Sequence, residues 1–483
     1  MGLLRHYRSW LCMILVGSMS IASANSDALA SVEQRVAAFM QQVADAGYTG
    51  GVIVARGDDV LLREAYGERV PGTGDLIRAD TVSTIGSITK QFTAAAIMLL
   101  EQQGALSVTD RLGVHFDDVP ADKASITIHQ LLSHQAGLPP AIGPDNDRVD
   151  RDAWLQRAFA AELFYSPGDG YEYSNVGYSV AAAIIEQVSG VDYESFLSTR
   201  FFEPLGMEDT GYRLPAYAAE RLAHGQKDDG NDWGSVYENF IVDGGPGWNL
   251  LGNGGLHSTL DDMLRWHRAL QAGTVLTGET VARLYGKYAE EPGGTWYGYG
   301  WSIEDTPWGA TLIAHNGGNP YFFADFLRFP EDDIAIYLWT TSRENRLKDI
   351  GRRLAGILYG DPVPILPPPV PARESLAADT PGGAVAARML DIVFGEAAES
   401  QESLIRKTIH PALLDKRGVA GIAEVAAAIR EHLGEHRLLG MRRFPDGRID
   451  VEFDTVQGLM ALELSLEDED GLMVRSIGLR IGD

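Results

Sequence analysis

Ser87 and Lys90 stand three residues apart in the stretch GSITKQFTAAAIMLL, residues Gly86–Leu100. On a helix, positions i and i+3 share a face. A serine hydroxyl is a weak nucleophile until a base removes its proton. A lysine does this when burial or nearby positive charge favours its neutral amine. The start of a helix adds positive potential, together with free N–H groups suited to an oxyanion. The same pair is equally compatible with a plainer arrangement, in which Ser87 caps the helix and Lys90 snorkels to the surface. The spacing alone does not separate the two.

A second stretch, Tyr173-Ser174-Asn175, lies just before an apolar helical run. A tyrosine hydroxyl is able to pass a proton to a leaving group. An asparagine amide offers a donor and an acceptor to a substrate amide. Tyr237-Glu238-Asn239 has the same Y-x-N spacing but lacks the following helix, and ranks below it. Further on, a strand pattern ends in His315-Asn316-Gly317-Gly318. Glycines there let another backbone approach the strand, and an exposed N–H would complete an oxyanion hole with that of Ser87. An ordinary glycine-rich turn with a surface histidine is the alternative for this piece taken alone.

In this order, S-x-x-K, Y-S-N and H-x-G resemble the serine β-lactamase and penicillin-binding-protein superfamily. The nearest likeness is to its β-lactamase-related branch, which holds class C-like β-lactamases, D-alanyl-D-alanine carboxypeptidases, D-aminopeptidases and esterases. The resemblance covers roughly residues 30–360 and includes ITIHQLLSHQAGLP, PLGMEDTGY and GNGGLHSTLDDMLRW. It implies Ser87 as the acyl-accepting nucleophile, Lys90 as the group that takes or relays its proton, and Tyr173 as the acid/base for leaving group and water. It further implies that Asn175 holds Lys90 and the substrate amide, that His315 and Gly317 border the substrate, and that the N–H groups of Ser87 and Gly318 form the oxyanion hole. One departure stands out. Many β-lactamases carry lysine where this chain has His315, and a histidine is mostly neutral above about pH 6.5. That weighs against efficient β-lactam hydrolysis and towards carboxypeptidase, aminopeptidase or esterase chemistry.

The elements that must position these residues follow from periodicity. Residues 28–46 carry a helical pattern, and GGVIVARGDDVLLREAYG reads as a hairpin turning at Gly57-Asp58-Asp59. A helix is predicted from Thr89 to Gly104, and another at Ser258–Thr259, each followed by Asp three residues on. Residues 110–270 read as helices and loops. Strands are predicted at Tyr299–Ile303, Thr311–Ala314, Phe322–Phe329 and Ile334–Thr341, then a helix at Leu347–Leu358. Strands at both ends with helices between suggest one sheet closed by the two ends, and a helical insertion over one face. This agrees with the fold the resemblance implies, a β-lactamase/transpeptidase-like α+β fold of antiparallel sheet, flanking terminal helices and an all-helical subdomain.

Four segments are expected: a signal peptide at 1–24, the hydrolase domain at 29–361, a proline-rich linker at 362–381, and a small α+β domain at 382–483. In the last, helical patterns near 383–397, 400–408 and 419–433 precede strand patterns at 437–444, 448–455, 459–467 and 472–481, with turns at Pro445-Asp446-Gly447 and Asp468–Gly471. The domain loosely resembles the NTF2-like class. Residues 1–24 carry Arg5 and Arg8, a short apolar run and Ala22-Ser23-Ala24, a small-x-small cleavage pattern. A periplasmic or secreted location is therefore expected, with a retained anchor as the alternative.

Composition narrows the function classes. With 45% hydrophobic residues in 483, the chain can bury a large core. Its net charge of −27 moves to −29 if the segment with Arg5 and Arg8 is removed. Such a surface repels nucleic acid and anionic lipid. The single cysteine, Cys12, lies inside the leader, so the mature chain has no thiol for a disulfide, a nucleophile or a metal. His432-Leu433-Gly434-Glu435-His436 matches the inverted zinc-protease spacing H-x-x-E-H, but Gly434 argues that the required helix ends there. No G-x-S-x-G elbow occurs. The expectation is a serine hydrolase acting through an acyl-enzyme on D-amino-acid peptides, β-lactams or small esters. It needs no metal or organic cofactor and takes a small molecule or short peptide as its partner. The alternative is a relative that binds such ligands and acylates slowly or not at all.

Overall fold

The computed structural model describes residues 31–227, 229–241, 245–342, 347–364, 376, 381–395, 399–444, 448–455, 458–467 and 473–481. The expected leader, most of the proline-rich stretch and the turns at 445–447 and 468–471 lie outside these residues. The chain divides into two compact units, one ending at Leu366 and the other beginning at Pro367.

The first unit opens with helix α1, Val32–Asp45, started by a capping box in which Ser31 and Gln34 bond reciprocally. Val36, Phe39, Met40 and Val43 recur at helical spacing and form its buried stripe. The hairpin follows as β1, Gly50–Arg56, and β2, Asp59–Tyr66, turning through Gly57 at φ +58°. Helices α2, Thr89–Gln102, α3, Asn175–Ser189, and α4, Leu260–Ala272, belong to the intervening region. The late strands are β3, Ala289–Glu290, β4, Trp296–Tyr297, β5, Ser302–Asp305, β6, Thr311–Asn319, β7, Phe322–Phe329, and β8, Ile334–Thr340. Helix α5, Leu347–Leu358, follows.

The eight strands form one antiparallel sheet in the order β2-β1-β8-β7-β6-β5-β4-β3. The two ends of the unit meet where β1 pairs with β8, Gly50 opposite Thr340. Both faces of β1 are covered, as its almost uninterrupted burial requires. Val52 and Val54 pack with the buried residues of α1 and with Leu354 and Ile357 of α5. Ile53 and Ala55, offset by one residue, join the core on the opposite face with α2. Helix α2 is buried at every position from Thr89 to Leu100, so it runs through the interior with no solvent face. Helix α3 is buried from Val176 to Ile185 and stops at Gly190, φ +75°.

Two strand expectations are revised. The strand expected at Tyr299–Ile303 is displaced to Ser302–Asp305, because Tyr299-Gly300 lies in a turn between β4 and β5. Gly300 has φ +77°, and a Cβ there would lie 2.8 Å from the carbonyl oxygen of Lys90. Close contact with α2, invisible in the local pattern, sets that turn. The strand expected to end near Ala314 instead runs on to Asn319, with Gly317 and Gly318 paired to Ala324 and Phe323.

In the second unit the described helical segments are α6, Pro381–Phe394, α7, Gln401–Thr408, and α8, Pro411–Leu433. A four-stranded antiparallel meander follows: β9, His436–Arg443, β10, Arg448–Thr455, β11, Gly458–Glu467, and β12, Met473–Ile481. Gly418, at φ 70° and ψ 166°, is non-helical and divides α8 into two stretches, the second starting at Val419 as the pattern indicated. Ile449, Val451 and Phe453 alternate along β10 and bury with Val385, Met389 and Ile392 of α6. Among the described residues, no helix is long and apolar enough to cross a membrane.

The cores of the first unit draw on residues up to Leu358, whereas that of the second begins at Val385. A chain ending at Pro364 should therefore fold by itself and unfold cooperatively on heating, with a Tm within about 5 °C of the corresponding transition in the full chain. Circular dichroism melting checks this. A truncated chain without a cooperative transition would show that the first unit needs the second.

Candidate active site

Ser87 lies in a single 3₁₀ turn, Gly86–Ile88, that leads into α2. Gly86 enters the turn at φ +50°, and a Cβ on it would lie 2.6 Å from Gly318 N. A Cβ on Gly317 would lie 2.0 Å from Ile85 O and 2.7 Å from Ser87 N. The Ser87 turn and β6 thus touch backbone to backbone, which only residues without side chains permit. Thr84 Oγ1 donates to Asn319 Oδ1 at 3.0 Å and ties the end of β6 to the approach to the turn.

Lys90 has no exposed surface. Its Nζ lies 3.2 Å from Ser87 Oγ, 2.7 Å from Asn175 Oδ1 and 2.7 Å from the carbonyl oxygen of Asn253. Burial holds the amine well below its ordinary pKa, with the charge of Asp145 opposing that shift. The three partners come from separate segments, and the two carbonyl oxygens among them are each fixed in turn. Asn175 opens α3, whose cap Ser174 accepts the N–H of Gly177 at 3.1 Å and donates to Pro139 O at 2.7 Å. Asn253 donates its amide to Ser179 Oγ and to Asn249 O, which orients its peptide. Tyr212 Oη donates to Gly254 O and accepts from Gly252 N, clamping both sides of Asn253. Glu194 holds the Tyr212 segment by accepting three consecutive N–H groups, those of Tyr212, Arg213 and Leu214, at 2.6–2.8 Å.

The ring of Tyr173 lies 4.7 Å from Lys90 Nζ. Burial pushes its hydroxyl well above the usual range, the hydroxyl of Ser87 pulls it down, and Glu291 adds to the rise. His134 packs on Tyr173 with ring centroids 4.3 Å apart, and also on Tyr297 and Tyr178. Its Nδ1 accepts the N–H of Ser174 at 3.0 Å, so its proton resides on Nε2. This buried residue has φ +60°, an uncommon backbone state for a side-chain-bearing residue. His315 is 5% exposed. Its Nδ1 donates to Asn316 O, and its Nε2 accepts from Tyr297 Oη at 2.9 Å. Burial, followed by the nearby charge of Lys90, pushes its pKa down to about 3. At neutral pH it is an uncharged ring with both nitrogens engaged.

A model of the Beta-lactamase family matches residues 32–359. The chain belongs to this family. Relatives of this Beta-lactamase family member include Penicillin-binding protein 4* of Bacillus subtilis, 26% identical over 362 residues, covering 69% of this chain and 77% of that protein. Esterase EstB of Burkholderia gladioli is 28% identical over 339 residues, covering 60% of this chain and 84% of that protein. In fold, the chain is similar to an octameric penicillin-binding protein homologue from Pyrococcus abyssi, at 20% identity and a TM-score of 0.60, covering 93% of this chain and 100% of that one. The family is one of serine hydrolases that act on amide or ester bonds through an acyl-enzyme.

The structure brings Ser87, Lys90, Tyr173 and Asn175 together and sets Gly317 and Gly318 against the Ser87 turn. His315 lies 6.1 Å from Tyr173, centroid to centroid. The rival Tyr237 and Asn239 lie elsewhere, the Asn239 amide bonding the carbonyls of Trp233 and Ser235. His432 ends α8 and His436 opens β9, with Gly434 between them at φ +51°, so the H-x-x-E-H pair does not share a helix face. Sequence reasoning missed Asn253, His134 and Tyr297. The only signal for Asn253 was its glycine flank, Gly252 to Gly255, which marks close backbone approach.

Two outcomes follow from this geometry. Gly317→Ala forces a Cβ into Ile85 O and Ser87 N, so the turn must move. Stability should fall by about 1–3 kcal/mol, and Ser87 should react at least about a hundredfold more slowly, read from Tm and from the rate of active-site labelling. The second concerns acid. His134, His257, His267 and His315 are buried, and burial holds each well below the ordinary histidine value, His257 and His315 at about 3 and His267 at about 2. An unfolded histidine takes a proton near pH 6.5. Between there and about pH 3 the unfolded state binds protons that the folded state does not, so stability drops as pH falls through this window. Four such groups give a slope of up to about 5 kcal/mol per pH unit. Denaturant midpoints measured from about pH 7 to about pH 5 test this; a level midpoint would contradict it.

Proposed function

We propose that this chain is a serine hydrolase in which Ser87 becomes acylated by an ester, a D-amino-acid peptide or a β-lactam, and is then released by water. The observation that carries this reading is a buried Lys90 amine within reach of the Ser87 hydroxyl, at 3.2 Å. A neutral amine has two N–H bonds and one lone pair. Asn175 Oδ1 and Asn253 O, both at 2.7 Å, take the two donors, so the lone pair faces Ser87 and accepts its proton. Asn175 and Asn253 thereby orient the base.

Attack on the carbonyl builds negative charge on oxygen. The N–H groups of Ser87 and Gly318, held together by the Gly86–Gly317 contact, are the donors for it. Tyr173, protonated by virtue of its raised pKa, donates to the departing group and then takes a proton from the deacylating water. The relatives named a penicillin-binding protein and an esterase support both carbonyl chemistries. The leader expected at residues 1–24 supports a periplasmic or secreted location for this hydrolase.

Labelling with a fluorophosphonate and a fluorescent penicillin tests the nucleophile. Wild type should react, Ser87→Ala should not, and ester turnover should drop by roughly a thousandfold or more. Unchanged labelling of Ser87→Ala would remove Ser87 from the mechanism. Labelling of wild type without turnover of any ester, peptide or lactam would identify a penicillin-recognising protein instead.

A further inference from the structure

Past Tyr173 the site opens into a cavity of about 410 Å³. In the acyl-transfer reading above, on which this inference rests, Tyr173 faces the departing group, so this cavity receives it. Tyr173, Tyr297, His315, Glu291, Asp325 and the Glu304–Arg352 pair stand in its wall. Arg352 is already committed, since its two terminal nitrogens donate to the two oxygens of Glu304 at 2.8 and 2.6 Å. His315 supplies no cation, because one ring nitrogen donates to Asn316 O while the other accepts from Tyr297 Oη. Lys90 points to Ser87, Asn175 and Asn253.

Glu291 differs from these. Its carboxylate accepts from Tyr171 Oη at 3.0 Å, from Thr295 Oγ1 at 2.9 Å and from Ser302 Oγ. Three neutral hydroxyls fix its geometry, and among the described residues no cation neutralises it. Its charge reaches Tyr173, whose ionisation it opposes. A carboxylate on the departing group would bring a second negative charge into the same small cavity, whereas an ammonium there would be attracted.

We propose that this cavity is the leaving-group subsite and that Glu291 makes it select departing groups bearing a positive charge over those bearing a carboxylate. The substrate class is an ester or amide of a basic alcohol, phenol or amine. In the step, the bond from Ser87 Oγ to the carbonyl carbon forms and the bond from that carbon to the leaving group breaks. The Ser87 proton passes to Lys90 and Tyr173 protonates the leaving oxygen or nitrogen; water then attacks the acyl carbon and gives its proton to Tyr173, the bond to Ser87 Oγ breaks, and Lys90 returns its proton to Ser87.

Three aryl acetates test this: phenyl acetate as the neutral reference and its meta-carboxylate and meta-trimethylammonium derivatives. Each kcat/KM is divided by the ester's hydroxide hydrolysis rate to remove intrinsic reactivity. Wild type should favour the cationic over the anionic ester by at least about tenfold. Glu291→Gln, which keeps a hydrogen-bonding side chain of the same length, should bring the ratio to within about threefold. Raising the salt from about 20 mM to about 0.5 M should compress the wild-type preference and requires no variant. A wild-type ratio near one, a preference for the anionic ester, or a ratio insensitive to both salt and Glu291→Gln overturns the inference while leaving the acyl-enzyme reading intact, provided Ser87 labels. Failure of all three esters together with an unlabelled Ser87 brings down both.

Discussion

The nitrogen of Lys90 is buried with no exposed surface, and much of the first unit is arranged around that fact. Removing an ammonium from water costs several kcal/mol unless excellent hydrogen bonds replace its hydration. Here the replacements are one hydroxyl from the turn before its own helix, one amide from the start of α3 and one carbonyl from the loop before α4. None has value unless its position is rigid. Ser174 caps α3, Tyr212 clamps the loop on both sides of Asn253, and Glu194 holds Tyr212 through three N–H groups. The same burial that makes the lysine costly lowers its pKa, and that is the property a base for Ser87 needs.

A second constraint couples the helical region to the sheet. The Ser87 turn and β6 approach until backbone atoms touch, which places glycine at 86 and 317. The N–H groups of Ser87 and Gly318, from distant parts of the chain, are thereby brought close together. Such donors act on developing charge without having to reorganise during reaction. The sheet needs both of its flanking strands to hold β6 there, with β5 on one side and β7 on the other.

The Ser87–Lys90 pair and most of the wall of the neighbouring cavity are built from different elements. Lys90, Asn175 and Tyr173 come from two buried helices and the turn before one of them. The cavity wall shares Tyr173 with that set and otherwise comes from β5, β6, β7, Arg352 of α5 and the segment Glu291–Ser302, which carries Glu291 and Tyr297. A change in that wall leaves the proton path through Lys90 in place. This separation gives a physical route by which one family supports penicillin-binding proteins and esterases alike.

Much of the fold was legible because its cues are local. The apolar runs on either side of Gly57-Asp58-Asp59 announced the hairpin, and Ser174 and Thr259 stand at helix starts that they do cap. The displaced strand near Tyr299 was not legible, since its turn answers to Lys90, more than two hundred positions earlier. Within the site, the serine, lysine, tyrosine, asparagine and glycines could be named from residue type and spacing. Asn253 could not, because it acts through a backbone carbonyl that every residue possesses, and His134 and Tyr297 could not, because aromatic residues read as ordinary core. By itself the sequence determined which side chains were available for acyl transfer and which helix and strand carry them, since those depend on neighbours a few positions apart. Only the tertiary structure decided that Lys90 is buried, that His315 is uncharged and tied to Tyr297, and that Glu291 lines a cavity together with Tyr173. Charge state and hydrogen-bond partner are set by what surrounds a group in space.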